Sequence, residues 1–79
     1  MENNQKLVSS FQVALGVDES LINDSLLYQG IPEWDSISHM ILISQIEEDF
    51  DVSIDTDDVI DMSSFIKAKE ILIKLGVNF

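Results

Sequence analysis

Two side chains in this sequence of 79 residues have the types and spacing for covalent or acid–base chemistry. They are Ser36 and His39, which fall on one face of what reads as a helix. A serine nucleophile also needs an orienting acid and an oxyanion hole converging on it, and neither is evident, so catalysis by this chain alone is not expected. The lone histidine reads as a solvated or partly packed side chain. There is no cysteine, which rules out a thiol nucleophile, a disulfide framework and a thiolate metal site. Acids at Asp49, Asp51, Asp55, Asp57 and Asp58 invite a calcium loop. A loop of the EF-hand kind starting at Asp49 needs glycine at its sixth place and glutamate at its twelfth, where this chain has Ile54 and Ile60. No metal site is expected. What remains is Asp35-Ser36, a carboxylate followed by a hydroxyl where a helix begins.

The elements that must position that pair can be read from periodicity. Turn residues Gly30 and Pro32 precede it, and Asp35 is placed to cap a helix over 36–50 by accepting N–H groups that lack partners within the helix. Leu42, Ile43, Ile46 and Phe50 keep helical spacing along one stripe, and Glu47, Glu48, Asp49 and Asp51 gather at the far end. Upstream, Leu7, Val8, Phe11, Ala14 and Leu15 predict a helix over 2–15 that Gly16 stops. Residues 17–35 form a long connection, with Val17, Leu21, Ile22, Leu26, Leu27, Tyr28 and Ile31 as apolar anchors and one short turn near Asp24-Ser25-Leu26.

Downstream, Ile54 plugs the core. A short helix over 56–61 is capped by Asp55 or Thr56 and turns Val59 and Ile60 inward. A last helix over 65–75 is capped by Ser63 or Ser64, carries Phe65, Ala68, Ile71, Leu72 and Leu75 as its stripe, and has Lys74 near its negative end. No alternating run supports a strand. The expected architecture is one domain spanning 1–79, all-α, a four-helix bundle of three long helices and one short one with a long loop between helices 1 and 2.

Composition bounds the partners. Hydrophobic residues make up 46% of the chain, too many and too periodic for disorder. Fifteen acids against four basic residues leave a net charge of -11. Such a surface repels nucleic acid and anionic lipid and favours encounter with basic protein patches. No apolar run approaches a membrane span, and the start of the chain does not read as a basic, apolar leader. A soluble, monomeric, cytoplasmic protein without membrane insertion is the expectation.

Four motifs then fall in a telling order: Leu15-Gly16-Val17 at the end of the first helix, Asp24-Ser25-Leu26 in the loop, Trp34-Asp35-Ser36-Ile37 at the head of the second helix, and Ile46-Glu47-Glu48-Asp49-Phe50-Asp51 at its tail. Together they resemble the acyl carrier proteins over nearly the whole chain, with Ile37 where that family's Asp-Ser-Leu signature has leucine. The resemblance implies that Ser36 is the attachment point for 4′-phosphopantetheine, delivered from coenzyme A by a phosphopantetheinyl transferase that recognises Asp35. A helix N-terminus is a good seat for the phosphate of that group.

It also implies that acyl groups ride as thioesters to acyl-activating and acyl-transferring enzymes with basic docking patches, which Glu47 and Glu48 would contact. Ile37, Met40 and Ile41 would add a greasier contact surface, because Ser38 and Ile41 stand where fatty-acid carriers usually place acids. With Trp34, that departure is similar to carriers of dedicated polyketide, lipopeptide or polysaccharide-modifying pathways. An acyl pocket would draw on Leu42, Ile46, Ile54, Val59, Ile60, Met62 and Ala68, residues that a plain bundle core would use equally. A carrier of aminoacyl groups (D-alanyl or peptidyl) and an unmodified acidic helical adaptor are the alternatives.

Overall fold

Helical spacing and side-chain caps together set the architecture. The computed structural model describes residues 2–79, and among them run α1 (Glu2–Leu15), α2 (Ser36–Phe50), α3 (Thr56–Asp61) and α4 (Phe65–Lys74). Each of the last three helices begins on a side chain that accepts an N–H three residues on: Asp35 from Ser38 at 2.8 Å, Asp55 from Asp58 at 3.1 Å and Ser64 from Lys67 at 2.9 Å. Asp55 and Ser64, rather than Thr56 and Ser63, are therefore the caps of α3 and α4. Gly16 follows α1 with φ of 67°, the left-handed conformation that ends a helix at little cost only in glycine.

The α1–α2 connection holds a single 3₁₀ turn, Glu19–Leu21. The turn expected near Asp24-Ser25-Leu26 is present, closed by the Leu26 N–H on the Asn23 carbonyl at 3.0 Å. Among the described residues there is no strand, only an isolated antiparallel bridge between Leu27 and Ser64. No described helix is long and apolar enough to cross a membrane.

The core lies between α1 (Leu7, Val8, Phe11, Leu15), α2 (Leu42, Ile43, Ile46) and α4 (Phe65, Ala68, Ile71, Leu72), closed by Ile54, Met62, Ile22 and Leu26. Trp34 joins it from the connection and is fully buried. Its indole meets the Phe11 ring edge-on at 5.2 Å and Tyr28 at 5.8 Å, and Phe11 meets Phe65 at 5.1 Å. These are the T-shaped arrangements that aromatic quadrupoles favour. A polar strut joins α1 to the tail of α2. Ser10, fully buried on α1, donates from Oγ to Asp49 Oδ2 at 2.5 Å, and Gln45 Nε2 donates to Asp49 Oδ1 at 3.1 Å.

Two expectations need correcting. Ile60 does not face inward: it is 77% exposed. Asp58 and Met62 take the inward face of the short α3, and a residue two places beyond Asp58 points roughly 200° away from it. In the connection, Leu21 and Leu27 are exposed, whereas Ile22 and Leu26 are buried.

Gly30 sits in a turn in which its N–H bonds the Leu27 carbonyl at 2.8 Å, and a Cβ there would lie 2.9 Å from that same backbone oxygen. The turn cannot yield as a side-chain tip can. Gly30→Ala is expected to cost about 1–3 kcal/mol, lowering the melting temperature by roughly 5–15 °C. Thermal unfolding followed by circular dichroism tests this; an unchanged midpoint would mean that the turn rearranges freely.

Candidate functional site

The site is built where the connection climbs onto α2. The Tyr28 N–H bonds the Ser63 carbonyl at 2.9 Å and the Phe65 N–H bonds the Leu26 carbonyl at 3.1 Å, so the connection is stapled to the segment that precedes α4. The Trp34 N–H then closes a turn on Ile31 at 3.2 Å, which sends the indole into the core and leaves Asp35 at the surface.

Asp35 is extended, with φ of -102° and ψ of -174°, as a capping residue must be. The Ser38 N–H donated to its carboxylate holds its carboxyl below the usual aspartate range. A carboxyl depressed in the folded chain contributes stability that is present above the ordinary value of about 4 and is lost as pH falls through the lower folded value. Asp35→Asn keeps the capping oxygen but not the charge. It is expected to flatten this part of the acid limb of stability, which denaturant titrations at neutral and at strongly acid pH would measure. An acid limb identical to the wild type would sink that assignment.

Ser36 is the first residue of α2 and is exposed. It opens onto a groove of about 390 Å³ whose other walls include Tyr28, His39, Met40, Val59 and Met62, with Ile60 at its edge. Met40 of this wall and its α2 neighbours Ile37 and Ile41 are all more than half exposed. The N–H groups of the first turn have no partners within the helix and point the same way as its positive dipole end. Chemically, this is a free hydroxyl at a helix head suited to a phosphate, beside an apolar trough.

His39 is buried, at 9% exposure, where a solvated or partly packed ring was expected. Its Nδ1 accepts from Trp34 Nε1–H at 3.0 Å, and Nε2 lies 2.8 Å from the Val59 carbonyl oxygen. A carbonyl can only accept and the indole N–H can only donate, so the proton is on Nε2 and none is on Nδ1. Both nitrogens are thus engaged away from Ser36. The ring stacks on the indole with centroids 6.0 Å apart and an interplanar angle of 27°. Trp34 and His39 stand immediately before the cap and at the fourth helical position, the spacing of a hydrophobic staple. That spacing is the sequence feature through which the pair could have been found.

The remaining expected residues divide. Glu48 is exposed, but Glu47 is half-buried and its Oε2 accepts the Ile54 N–H at 2.8 Å, clipping the α2–α3 turn. Asp49 is taken up by Ser10 and Gln45. Of the expected pocket, Val59, Ile60 and Met62 line the groove, whereas Leu42, Ile46, Ile54 and Ala68 are packed in the core. A scan against protein-family models and searches of curated proteins and of solved structures return no match to this chain.

Proposed function

We propose that this protein is a carrier modified at Ser36 by 4′-phosphopantetheine, which ferries acyl groups between enzymes and catalyses nothing itself. One observation supports the reading above the others: an exposed serine opens a long, side-chain-capped helix and gives directly onto an apolar groove. The residues present suit such a group. The Ser36 hydroxyl is open to an external transferase, the positive dipole end of α2 favours a phosphodiester, and the groove offers apolar cover beside it. Once attached, the arm supplies a terminal thiol on which acyl groups are held as thioesters. Asp35 contributes by fixing the backbone of the first turn, and so the direction in which Ser36 is presented.

Partner enzymes with basic patches suit the net charge of -11. Glu48 and the C-cap Asp51 are the exposed acids of the α2 tail, and Ile37, Met40 and Ile41 provide apolar contact nearer the hydroxyl.

The test is intact mass after incubation with coenzyme A and a phosphopantetheinyl transferase. A gain of about 340 Da is expected. A chain that stays unmodified under conditions that fully convert a reference carrier would overturn the proposal and favour the acidic adaptor. Presenting the modified protein to acyl- and aminoacyl-activating enzymes then distinguishes the cargo; loading by the latter alone would exclude the acyl reading.

A further inference from the structure

We propose that α3 is a hinged lid over the groove beside Ser36, and that His39 is its latch. The lid is short, at six residues, and within it only Asp58 is buried, with Val59 partly buried and Ile60 exposed; the core residue Met62 follows at its C-cap. Three side-chain ties hold it, two from α4 and one from α2; one of the α4 pair is the ion pair of Lys67 with Asp61 at 3.3 Å. On the α4 side, Lys74 Nζ donates to the buried Asp58 carboxylate at 2.5 Å, a bond that holds the lysine above its usual range. On the α2 side, His39 Nε2–H donates to the Val59 carbonyl. That carbonyl is in the last turn of α3, where it has no helical partner, so the imidazole acts as a C-terminal cap delivered from another helix.

Among the described residues this is the one side-chain hydrogen bond that joins α2 to α3. It also spans the groove, since His39 and Met40 line one wall and Val59, Ile60 and Met62 the other. The Lys74 tie, by contrast, lies outside the groove. Breaking the His39 tie while keeping those to α4 lets α3 swing about its α4 side and widen the groove without unfolding the core. Trp34 completes the device. By donating to Nδ1 it fixes the tautomer in which Nε2 carries the proton, and by stacking it fixes the plane of the ring. The latch does not depend on whether Ser36 is ever modified.

Amide hydrogen exchange on the unmodified full-length chain tests this. His39→Phe keeps a ring of similar shape and removes both hydrogen bonds. It is expected to speed exchange at Val59 and Met62 by about five- to tenfold, the worth of one such bond, with Ala68 and Leu75 of the α4 region unchanged. His39→Gln retains a donor that can reach Val59 and should recover most of the lost protection. In wild-type protein, ¹⁵N NMR of the ring should show the Nε2–H tautomer. A uniform rise in exchange across α1, α3 and α4, an equal loss in the Gln and Phe variants, or an Nδ1–H tautomer would each overturn the latch.

Discussion

Trp34→Ala is expected to destabilise the fold by about 3–5 kcal/mol, the usual cost of truncating a large buried aromatic. A chain of 79 residues has a total stability of only about 4–12 kcal/mol, so this single change removes a large share of it. The cost has two sources. The indole is fully buried and is contacted by Phe11, Tyr28 and the His39 ring, so its loss leaves a cavity bounded by three elements that cannot all collapse inward. Removing the N–H also leaves His39 Nδ1 without its donor in a buried setting. Thermal unfolding followed by far-ultraviolet circular dichroism should show a midpoint lower by about 15–30 °C. Trp34→Phe should fall between the two, because it keeps part of the packing but not the donor. A variant that melts within a degree or two of the wild type would remove Trp34 from the centre of the fold.

Ser36→Ala is expected to abolish the mass gain completely while leaving the fold intact. Ser36 is exposed and no cap depends on its side chain, so the stability change should stay within about 0.5 kcal/mol. Complete loss is the discriminating feature. Ser9, Ser20, Ser25, Ser44, Ser53 and Ser63 are also exposed, but none is the first residue of a long capped helix. A transferase that reads an exposed hydroxyl at a helix head should ignore all six. Intact-mass spectra of the variant beside the wild type decide the matter. Persistence of the roughly 340 Da gain in Ser36→Ala would show that another hydroxyl is used and that the head of α2 is not the site.

The helices were legible because the forces that delimit them are local. Asp35, Asp55 and Ser64 each cap through a bond three residues long, and the stripes of α1, α2 and α4 repeat within the helices themselves. The position of Ser36 was legible for the same reason: its place follows from its neighbour's cap. Trp34 was harder to see, because a single apolar residue in a loop has no period to betray its burial; its one signal was the staple spacing to His39, and a histidine in place of an apolar partner disguised it. Ile60 was misjudged because α3, at six residues, is too short for its pattern to outvote the tertiary contacts that turned Asp58 and Met62 inward.

The acids misled differently. By composition, Glu47, Glu48 and Asp49 are one charged cluster. Only the approach of Ile54 to one and Ser10 to another separates the two that brace the molecule from Glu48, which faces solvent. The groove draws its walls from the loop, α2, α3 and the segment before α4, and no window along the chain contains it.

The bridge between Leu27 and Ser64 bears on the order in which the molecule assembles. It joins distant points of the chain, so closing it carries an entropic penalty that helix formation does not. Ser64 also starts α4 through its hydroxyl, and its neighbours Ser63 and Phe65 hold the loop on either side of the bridge. The rods can therefore form early and the loop that seats Trp34 can settle only after the fourth rod has docked. A nascent chain would complete the setting around Ser36 only once α4, which ends at Lys74, had been made.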